Sequence, residues 1–534
     1  MSKSSGMKEY AQGVMILTLA MLFVKVLSMV YRIPFQNLVG DEGFYIYQQV
    51  YPFVAVFVTW TASGLAIAIS RVLTESNESW DELMRVILRY LCMLALVLFI
   101  GLYSLSSFFA SIMGDMGLVP LLKAGSYIAL TIPFLALYKG HAQAVGDLNI
   151  VAKSQVAEQV VRVAIILMGT WFVMRLGASL YVAGEVATIG TVLGEVVGVL
   201  LLYILMRKKG VRLSLKRSTI PRARQHHLMK RLAIYSIGIS LSSLLLILFQ
   251  LVDSLTIFRA LVDSGMSVGE AMIEKGIYDR GQPLVQVGLV LASSLTMAIV
   301  PFITTAMKQH DKEDAAHYMR LTYSISILVG VAAAVGLILV MPYMNEMMFK
   351  TDALSGVLRL FVLQIVWLSI IMPMMAVLQG LGYTKHPSLL LIGGLIVKLL
   401  CNDVFIQWFG IAGAALASNV GLGFTALLLI RFLKKVYPIS LVSPTFTCGA
   451  LLATLAMTFA VEIWIVGITF MCATYAIPPR ITATITALTA VFVGAFAFLT
   501  VSAKREVLSI EDWSVLPLGR RVAAFQLYVN RVKK

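Results

Sequence analysis

About fourteen apolar stretches, each long enough to cross a bilayer, run from Gly13 to Val501 and dominate this chain of 534 residues. A membrane-spanning helix needs roughly twenty apolar residues. The composition agrees, because 59% of the residues are hydrophobic and only 13% are charged. Open sheets cannot satisfy their backbone groups in lipid, and these stretches are far longer than barrel strands. We therefore predict an all-α polytopic membrane protein.

The predicted spans form two sets of six followed by a pair. They are Gly13–Leu38, Phe44–Ser70, Met84–Phe109, Leu121–Gln143, Gln155–Val173, Ala183–Met206, Leu232–Leu261, Pro283–Met307, Leu321–Met341, Leu354–Gly380, Pro387–Phe409, Ile411–Phe432, Thr445–Met471 and Ile481–Val501. Two short patterns recur in the same order, Ala62-Ser63-x-Leu65 as Ala292-Ser293-x-Leu295 and Pro133-x-x-Ala136 as Pro373-x-x-Ala376. This repetition predicts two pseudo-symmetric six-helix lobes, plus two C-terminal helices.

This division predicts five segments along the chain. They are an N-lobe of spans 1–6 (1–206), a basic cytoplasmic loop (207–231), a C-lobe of spans 7–12 (232–435), spans 13 and 14 (436–503) and an amphipathic cytoplasmic tail (504–534). In the tail, Leu518, Val522, Phe525 and Val529 follow helical spacing among Arg and Lys residues. That pattern predicts a helix lying on the inner leaflet.

The net charge of +16 follows the membrane topology. With the N-terminus in the cytoplasm, most of the 43 Lys and Arg residues fall on the cytoplasmic side, as the positive-inside rule requires. The densest cluster, Arg207 to Arg231, contains no acid, and we interpret it as a topology anchor beside anionic headgroups. We predict a multi-pass protein of the cytoplasmic membrane with both termini in the cytoplasm and no nucleic-acid partner.

Several basic residues lie within or beside the predicted spans. Lys25 and Arg32 lie seven residues apart in the first span, which places them on one helix face. Arg280 lies at the mouth of the eighth span, and Arg259 near the outer end of the seventh, where snorkelling to the headgroups is an alternative. A cavity lined by Lys25, Arg32 and Arg280 would attract a phosphate or pyrophosphate. The alternative is structural ion pairing, with Asp279 as the neighbour of Arg280.

A second polar set contains Asp253 in the seventh span, Lys398 and Asn402 in the eleventh, and Ser418 in the twelfth. A carboxylate beside Asn and Ser oxygens within the membrane could hold a small cation or a proton. We therefore treat these four residues as candidates for ion coupling.

Other charged and catalytic residue types give weaker signals. Glu158 and Arg162 are four residues apart in the fifth span, and we expect them to form a structural ion pair. The six histidines fall at predicted cytoplasmic ends or loops, and the sequence contains no P-loop. We expect a protein that is not an enzyme and that uses no metal or organic cofactor.

Three stretches resemble the polysaccharide-transport branch of the MOP flippase superfamily. They are Val39–Gln48 continuing to Gly64–Arg71, Ser154–Val163 and Phe409–Ala415. The resemblance is to the SpoVB-like and MurJ-like proteins of bacteria and covers nearly the whole chain. It implies two six-helix lobes and two extra helices that form a groove for a polyprenyl tail.

The resemblance also implies a function. The implied substrate is an undecaprenyl-pyrophosphate-linked saccharide, such as lipid II or a related precursor, flipped across the bacterial cytoplasmic membrane by alternating access. Membrane lipids and cell-wall assembly proteins, in growth or sporulation, are the implied partners. The family's basic pattern in the first span falls on Lys25 and Arg32, and its basic residue in the eighth span falls on Arg280.

The sequence departs from this family pattern in two places. Lipid II flippases carry a further Arg along the second span, where this chain reads Phe53–Phe57. Sodium-binding relatives use groups near Asp253, Asn402 and Ser418, but Lys398 stands where an uncharged ligand is expected. We hypothesise that the Lys398 ammonium pairs with Asp253 and replaces the bound sodium.

Three alternatives stay open from the sequence. A multidrug or cation exporter of the same superfamily would need carboxylates in its cavity, which the pair of Lys25 and Arg32 disfavours. A membrane glycosyltransferase would need acids or bases in a sizeable outer loop. A non-transporting scaffold of wall assembly would tolerate Lys25→Glu, whereas a pyrophosphate carrier would not.

Overall fold

The computed structural model describes residues 3–216, 218–383, 385–438, 440–514 and 519–531. Every regular element within these ranges is a helix. Twelve segments of the described residues are long and apolar enough to cross a membrane. The predicted all-α polytopic class is therefore confirmed. By its internal contacts the chain forms two compact units, Met1–Asp279 (unit 1) and Arg280–Lys534 (unit 2).

The described residues of unit 1 form eleven α-helices and three short irregular helical segments. The α-helices are α1 (Lys3–Val30), α2 (Arg32–Thr59), α3 (Ala66–Glu75), α4 (Trp80–Ser104), α5 (Ser106–Met113), α6 (Val119–Ser126), α7 (Ile132–Val145), α8 (Leu148–Arg175), α9 (Leu180–Lys208), α10 (Arg222–Asp263) and α11 (Val268–Asp279). A π-helix, Trp60–Leu65, joins α2 to α3, and 3-10 turns cover Met116–Leu118 and Tyr127–Thr131.

Ten α-helices lie in the part of unit 2 that the structure describes. They are α12 (Gly281–Lys308), α13 (Lys312–Phe349), α14 (Ser355–Val362), α15 (Gln364–Gly380), α16 (Lys385–Phe409), α17 (Ile411–Val436), α18 (Pro444–Thr474), α19 (Pro479–Lys504), α20 (Ile510–Ser514) and α21 (Gly519–Arg531).

Local sequence signals explain where the helices begin and end. The Ser79 hydroxyl caps α4 by accepting from the backbone N–H of Glu82, and Ser179 caps α9 in the same way. Gly114 ends α5 and Gly146 ends α7 with left-handed φ values of 81° and 83°. Glycine adopts that conformation without the steric cost that a Cβ imposes.

The first apolar segment, Leu19–Glu75, is 57 residues long and covers the first predicted span from Leu19 onward and the whole of the second. It is interrupted at Gly40, whose φ of 71° and ψ of −172° are not helical. That break lies beside Asp41 and Glu42, where the sequence predicts a short turn between the two spans. The predicted eighth span lies on α12.

The predicted tail helix is observed as α21, while Leu518 and residues 532–534 lie outside the described residues. Its apolar side packs on the protein. The Phe525 ring lies 6.2 Å from the Phe496 ring of α19, and the Gln526 side-chain amide donates to the carbonyl of Leu508. Leu527 and Tyr528, 43% and 68% exposed, remain on the outer side. The location of this outer side on the inner leaflet stays a prediction.

The boundary between the compact units lies later in the chain than the predicted loop between lobes, 207–231. Helices α10 and α11 pack against α2, which groups both with unit 1. Grouping by contacts does not test a duplication of six helices, so the six-plus-six arrangement stays a prediction.

Candidate functional site

A buried guanidinium group marks the interior of unit 1. Arg32 begins α2, and its side chain is 1% exposed. The backbone stays helical through Tyr31, so this side chain extends from a continuous rigid segment. Its Cζ lies 4.7 Å from the centroid of the Tyr51 ring. Within the described part of the chain, Nε and Nη1 of Arg32 have no hydrogen-bond acceptor, so two buried donors can serve an anion.

A second guanidinium group approaches the same aromatic ring. The Cζ of Arg162, on α8, lies 5.7 Å from the Tyr51 centroid, and its buried Nε finds no acceptor among the residues that the structure describes. The Tyr31 and Tyr47 hydroxyls, 3.0 Å apart, lie beside both guanidinium groups. Ring faces and neutral hydroxyls attract a cation without cancelling its charge. This part of the interior is therefore electropositive.

The acid next to this cluster is paired with a lysine. Nζ of Lys139, on α7, lies 2.9 Å from Oε1 of Glu158, and the Ser154 hydroxyl donates to the same carboxylate. The predicted ion pair of Glu158 with Arg162 is therefore wrong. Lys139 is 2% exposed and requires a counter-charge, whereas Arg162 is directed to the tyrosine cluster.

Lys139, Glu158 and Arg162 line a cavity of about 160 Å³ within unit 1. Its polar and charged lining consists of Lys25, Lys139, Gln155, Glu158, Gln159, Arg162, Thr191 and Glu195. Three bases face two acids, so the formal charge of the lining is +1. The Nε2 donor of Gln159 is buried and also lacks an acceptor in the described ranges. Space, positive charge and unused donors together suit an anionic group.

Two of the predicted substrate-binding residues differ in their placement within unit 1. Lys25 is exposed and lines the cavity, and its role in substrate binding stays a prediction. The Arg259 side chain is 58% exposed, and its Nε lies 3.5 Å from Oδ2 of Asp263. Snorkelling accounts for Arg259, so we leave it out of the proposed site.

Arg280 is fully buried at the start of α12 in unit 2. Its Nη1 donates to Oδ1 of Asn345 at 2.8 Å, and its Cζ lies 4.9 Å from the Phe349 centroid. Asp279, the neighbour that sequence suggested as its partner, lies 2.6 Å from Nζ of Lys275. A shared cavity of Arg280 with Lys25 and Arg32 stays a prediction.

The predicted ion-coupling residues are all buried. Asp253 is 2% exposed in unit 1 and accepts from the Tyr278 hydroxyl at 3.4 Å. In unit 2, Lys398, Asn402 and Ser418 are each at most 1% exposed. The Ser418 hydroxyl donates to a carbonyl of its own helix at 3.0 Å. The pairing of Lys398 with Asp253 stays a prediction.

Sequence reasoning missed two charged residues of the cavity lining, Lys139 and Glu195, and the Tyr51 ring beside the two guanidinium groups. Lys139 and Glu195 lie in the fourth and sixth predicted spans, and a charge inside an apolar span is the signal that singled out Lys25. An inventory of every such charge would have found both. Tyr51 carries no comparable signal, because its role depends on two arginines from other parts of the chain.

Comparison with known protein sequences identifies the family of this chain. The profile of the family described as Polysaccharide biosynthesis protein matches residues 10–307, and that of MatE matches residues 276–403. The uncharacterized membrane protein YabM of Bacillus subtilis is 34% identical over 534 residues, which is 98% of each chain. The lipid II flippase MurJ of Bacillus subtilis is 25% identical over 447 residues, 79% of this chain and 81% of that protein.

Solved structures share the fold. The lipid II flippase MurJ in an inward closed conformation gives a TM-score of 0.69 at 14% identity, covering 92% of this chain and 99% of that one. An inward-facing multidrug resistance MATE transporter of the MOP superfamily gives 0.63 at 16% identity, covering 80% and 98%. The resemblance inferred from sequence is thus confirmed. The chain belongs to the polysaccharide biosynthesis protein family, and it is a multi-pass membrane protein with the fold of MOP-superfamily transporters.

Proposed function

We propose that this protein is a flippase that moves an undecaprenyl-pyrophosphate-linked saccharide, lipid II or a related precursor, across the bacterial cytoplasmic membrane. The observation that carries the proposal is the pair of guanidinium groups whose buried donors lack acceptors among the described residues, beside a cavity that contains Lys25. A buried donor without a partner costs about 1–3 kcal/mol. An anionic ligand would remove that cost.

In this proposal the pyrophosphate enters the cavity and meets Arg162 and Lys25. Guanidinium groups bind phosphate oxygens through two parallel N–H donors, and an ammonium adds a compact charge. Arg32, whose guanidinium lies against the Tyr51 ring, adds to the positive potential around Arg162. Lys139 contributes less, because its charge is offset by Glu158.

Alternating access would move the headgroup while the lipid tail stays in the bilayer. With both termini in the cytoplasm, the negatively charged substrate travels outward, in the direction that an inside-negative membrane potential favours. That potential contributes about 2.3 kcal/mol per charge for each 100 mV. Precursors delivered in this way would serve wall or polysaccharide assembly, with the assembly proteins as partners.

We further propose that the Lys398 ammonium takes the place of a coupling sodium ion beside Asp253. Flipping is then expected to proceed at the same rate in sodium and potassium buffers. The hypothesis fails if flipping depends on sodium and Asp253→Asn abolishes the dependence.

A second candidate function is the export of organic cations. It is favoured by one observation, the presence of Glu158 and Glu195 in the same cavity. Carboxylates attract cationic substrates, but Lys139 already pairs with Glu158, and the remaining charges are two bases and one acid. The charge balance therefore favours the anionic substrate.

The proposal is tested with the full-length protein in liposomes. A fluorescent polyprenyl-pyrophosphate-linked disaccharide is placed in one leaflet, and its appearance in the other is followed by chemical quenching of the accessible dye. We expect Arg162→Ala and Lys25→Glu to slow flipping at least tenfold. Arg175→Ala is the matched control, because Arg175 ends the same helix with its guanidinium 4.4 Å from the Trp171 ring.

Two further measurements separate the rival functions. Complementation of a strain depleted of its lipid II flippase reports on the cell-wall precursor directly. Uptake of an organic cation dye by the same liposomes reports on export. The proposal is overturned if Arg162→Ala flips at the wild-type rate, or if the dye is transported and the lipid-linked disaccharide is not.

A further inference from the structure

A second, larger cavity opens on the surface of unit 1, formed by residues of α4, α6, α7, α9 and the 3-10 turn Tyr127–Thr131. Its volume is about 750 Å³, and most of its lining is apolar. Along α9 it extends from Glu185 to Leu200, which is about 22 Å of helix. Exposed apolar side chains on membrane-spanning helices, here Tyr127, Phe134 and Leu193, border the groove. Such a surface faces lipid acyl chains.

Two half-buried charges lie in this otherwise apolar groove, Lys123 on α6 and Glu185 on α9. The Lys123 ammonium lies 5.2 Å from the Tyr103 ring centroid. Within the described ranges, neither charge has an ion-pair partner within 4.0 Å. A charge in a lipid-facing position is costly unless a partner or a headgroup compensates it.

Both charges lie at the same end of the groove. Lys123 is the fifth residue of the short helix α6 and Glu185 the sixth residue of α9, and α6 packs against α9. The beginnings of the two helices are tied together, because the Tyr181 hydroxyl donates at 2.9 Å to Oδ2 of Asp115 just before α6. The groove therefore presents a cation and an anion at one end and an apolar channel along its length.

We propose that this groove binds one zwitterionic phospholipid with a primary amine headgroup, phosphatidylethanolamine. Its phosphate would bind the Lys123 ammonium, its own ammonium would bind the Glu185 carboxylate, and one acyl chain would lie along α9. An anionic lipid would satisfy Lys123 and place like charge beside Glu185. Since this groove is lined by different residues from the 160 Å³ cavity, the proposal is independent of the transported substrate.

The test is native mass spectrometry of the full-length protein after bulk lipid has been washed away in mild detergent. We expect the wild type to retain one phosphatidylethanolamine and to prefer it over phosphatidylglycerol in a direct titration with both lipids. Lys123→Ala and Glu185→Gln are each expected to weaken retention at least tenfold. Lys153→Ala is the control, because Lys153 is an exposed lysine on α8 that does not line the groove.

A charge-swapped variant separates lipid binding from misfolding. The double substitution Lys123→Glu with Glu185→Lys keeps both charges, so we expect it to recover phosphatidylethanolamine binding that each single reversal loses. Val196→Trp fills the groove and is expected to abolish retention while the thermal unfolding midpoint stays near that of the wild type. Equal retention of the two lipids by the wild type, or retention unaffected by Lys123→Ala and Val196→Trp, overturns the proposal.

Discussion

Removing the buried Lys139 ammonium is expected to destabilise unit 1 more than removing the Glu158 carboxylate. The two groups are 2.9 Å apart, and their side chains are 2% and 11% exposed. Loss of one partner from a buried pair costs about 3–5 kcal/mol, since the other charge stays uncompensated. Lys139→Met leaves two carboxylates, Glu158 and Glu195, in one cavity. Glu158→Gln leaves Lys139 with Glu195, which already interacts with it, as a replacement counter-charge.

We therefore expect Lys139→Met to lower the free energy of unfolding by about 3–5 kcal/mol, and Glu158→Gln to lower it by about 1–3 kcal/mol. For a unit of this size, each kcal/mol shifts the unfolding midpoint by about 2–4 °C, so Lys139→Met lowers it by about 6–20 °C. The assay is thermal unfolding in detergent followed with a thiol-reactive dye. Cys92, half-buried in unit 1, becomes reactive when this unit opens.

Lys209→Met is the matched control for this measurement. Its ammonium pairs with Asp147 on the surface, where the lysine side chain is 55% exposed. We therefore expect this substitution to lower the free energy of unfolding by less than about 1 kcal/mol. The double substitution Lys139→Met with Glu158→Gln is expected to recover most of the stability, because neither charge is left alone. The reasoning is refuted if Lys139→Met unfolds at the temperature of the Lys209→Met control, or if Glu158→Gln is the more damaging single change.

Three further predictions follow from contacts within the units. Tyr51→Phe keeps the ring beside both guanidinium groups and is expected to flip lipid normally, whereas Tyr51→Leu removes about 1–2 kcal/mol of stability and slows flipping in the liposome assay. Gly64→Ala places a Cβ in steric overlap with the Ser240 hydroxyl oxygen and 2.9 Å from Cδ1 of Trp60, so the unfolding midpoint falls, and Ser240→Gly restores part of the loss. Phe525→Asp breaks the packing of α21 on α19, so we expect limited trypsin digestion to cleave the basic tail faster. Tyr528→Asp, at a 68% exposed position, is the control and is expected to leave the cleavage rate unchanged.

Much of the secondary structure follows from the sequence, because an apolar stretch in lipid has to satisfy its own backbone hydrogen bonds. The predicted eleventh and twelfth spans, Pro387–Phe409 and Ile411–Phe432, correspond closely to α16 and α17. The boundary at Gly410 coincides because its φ of 58° suits glycine and interrupts the helix. The sequence did not predict that α17 continues beyond Phe432 to Val436, or that α21 packs on α19. Local patterns do not reveal what a helix contacts.

The order of residues is enough to predict that this chain is helical, that it spans a membrane repeatedly, and that it carries unusual charges within the spans. The pairing of those charges becomes visible only once the helices are packed together. Lys139 meets Glu158 from a neighbouring helix, and Arg32 and Arg162 meet at the Tyr51 ring, because each helix is rotated to pack its own apolar face. That rotation is set by contacts between distant parts of the chain, which the spacing along one helix does not encode.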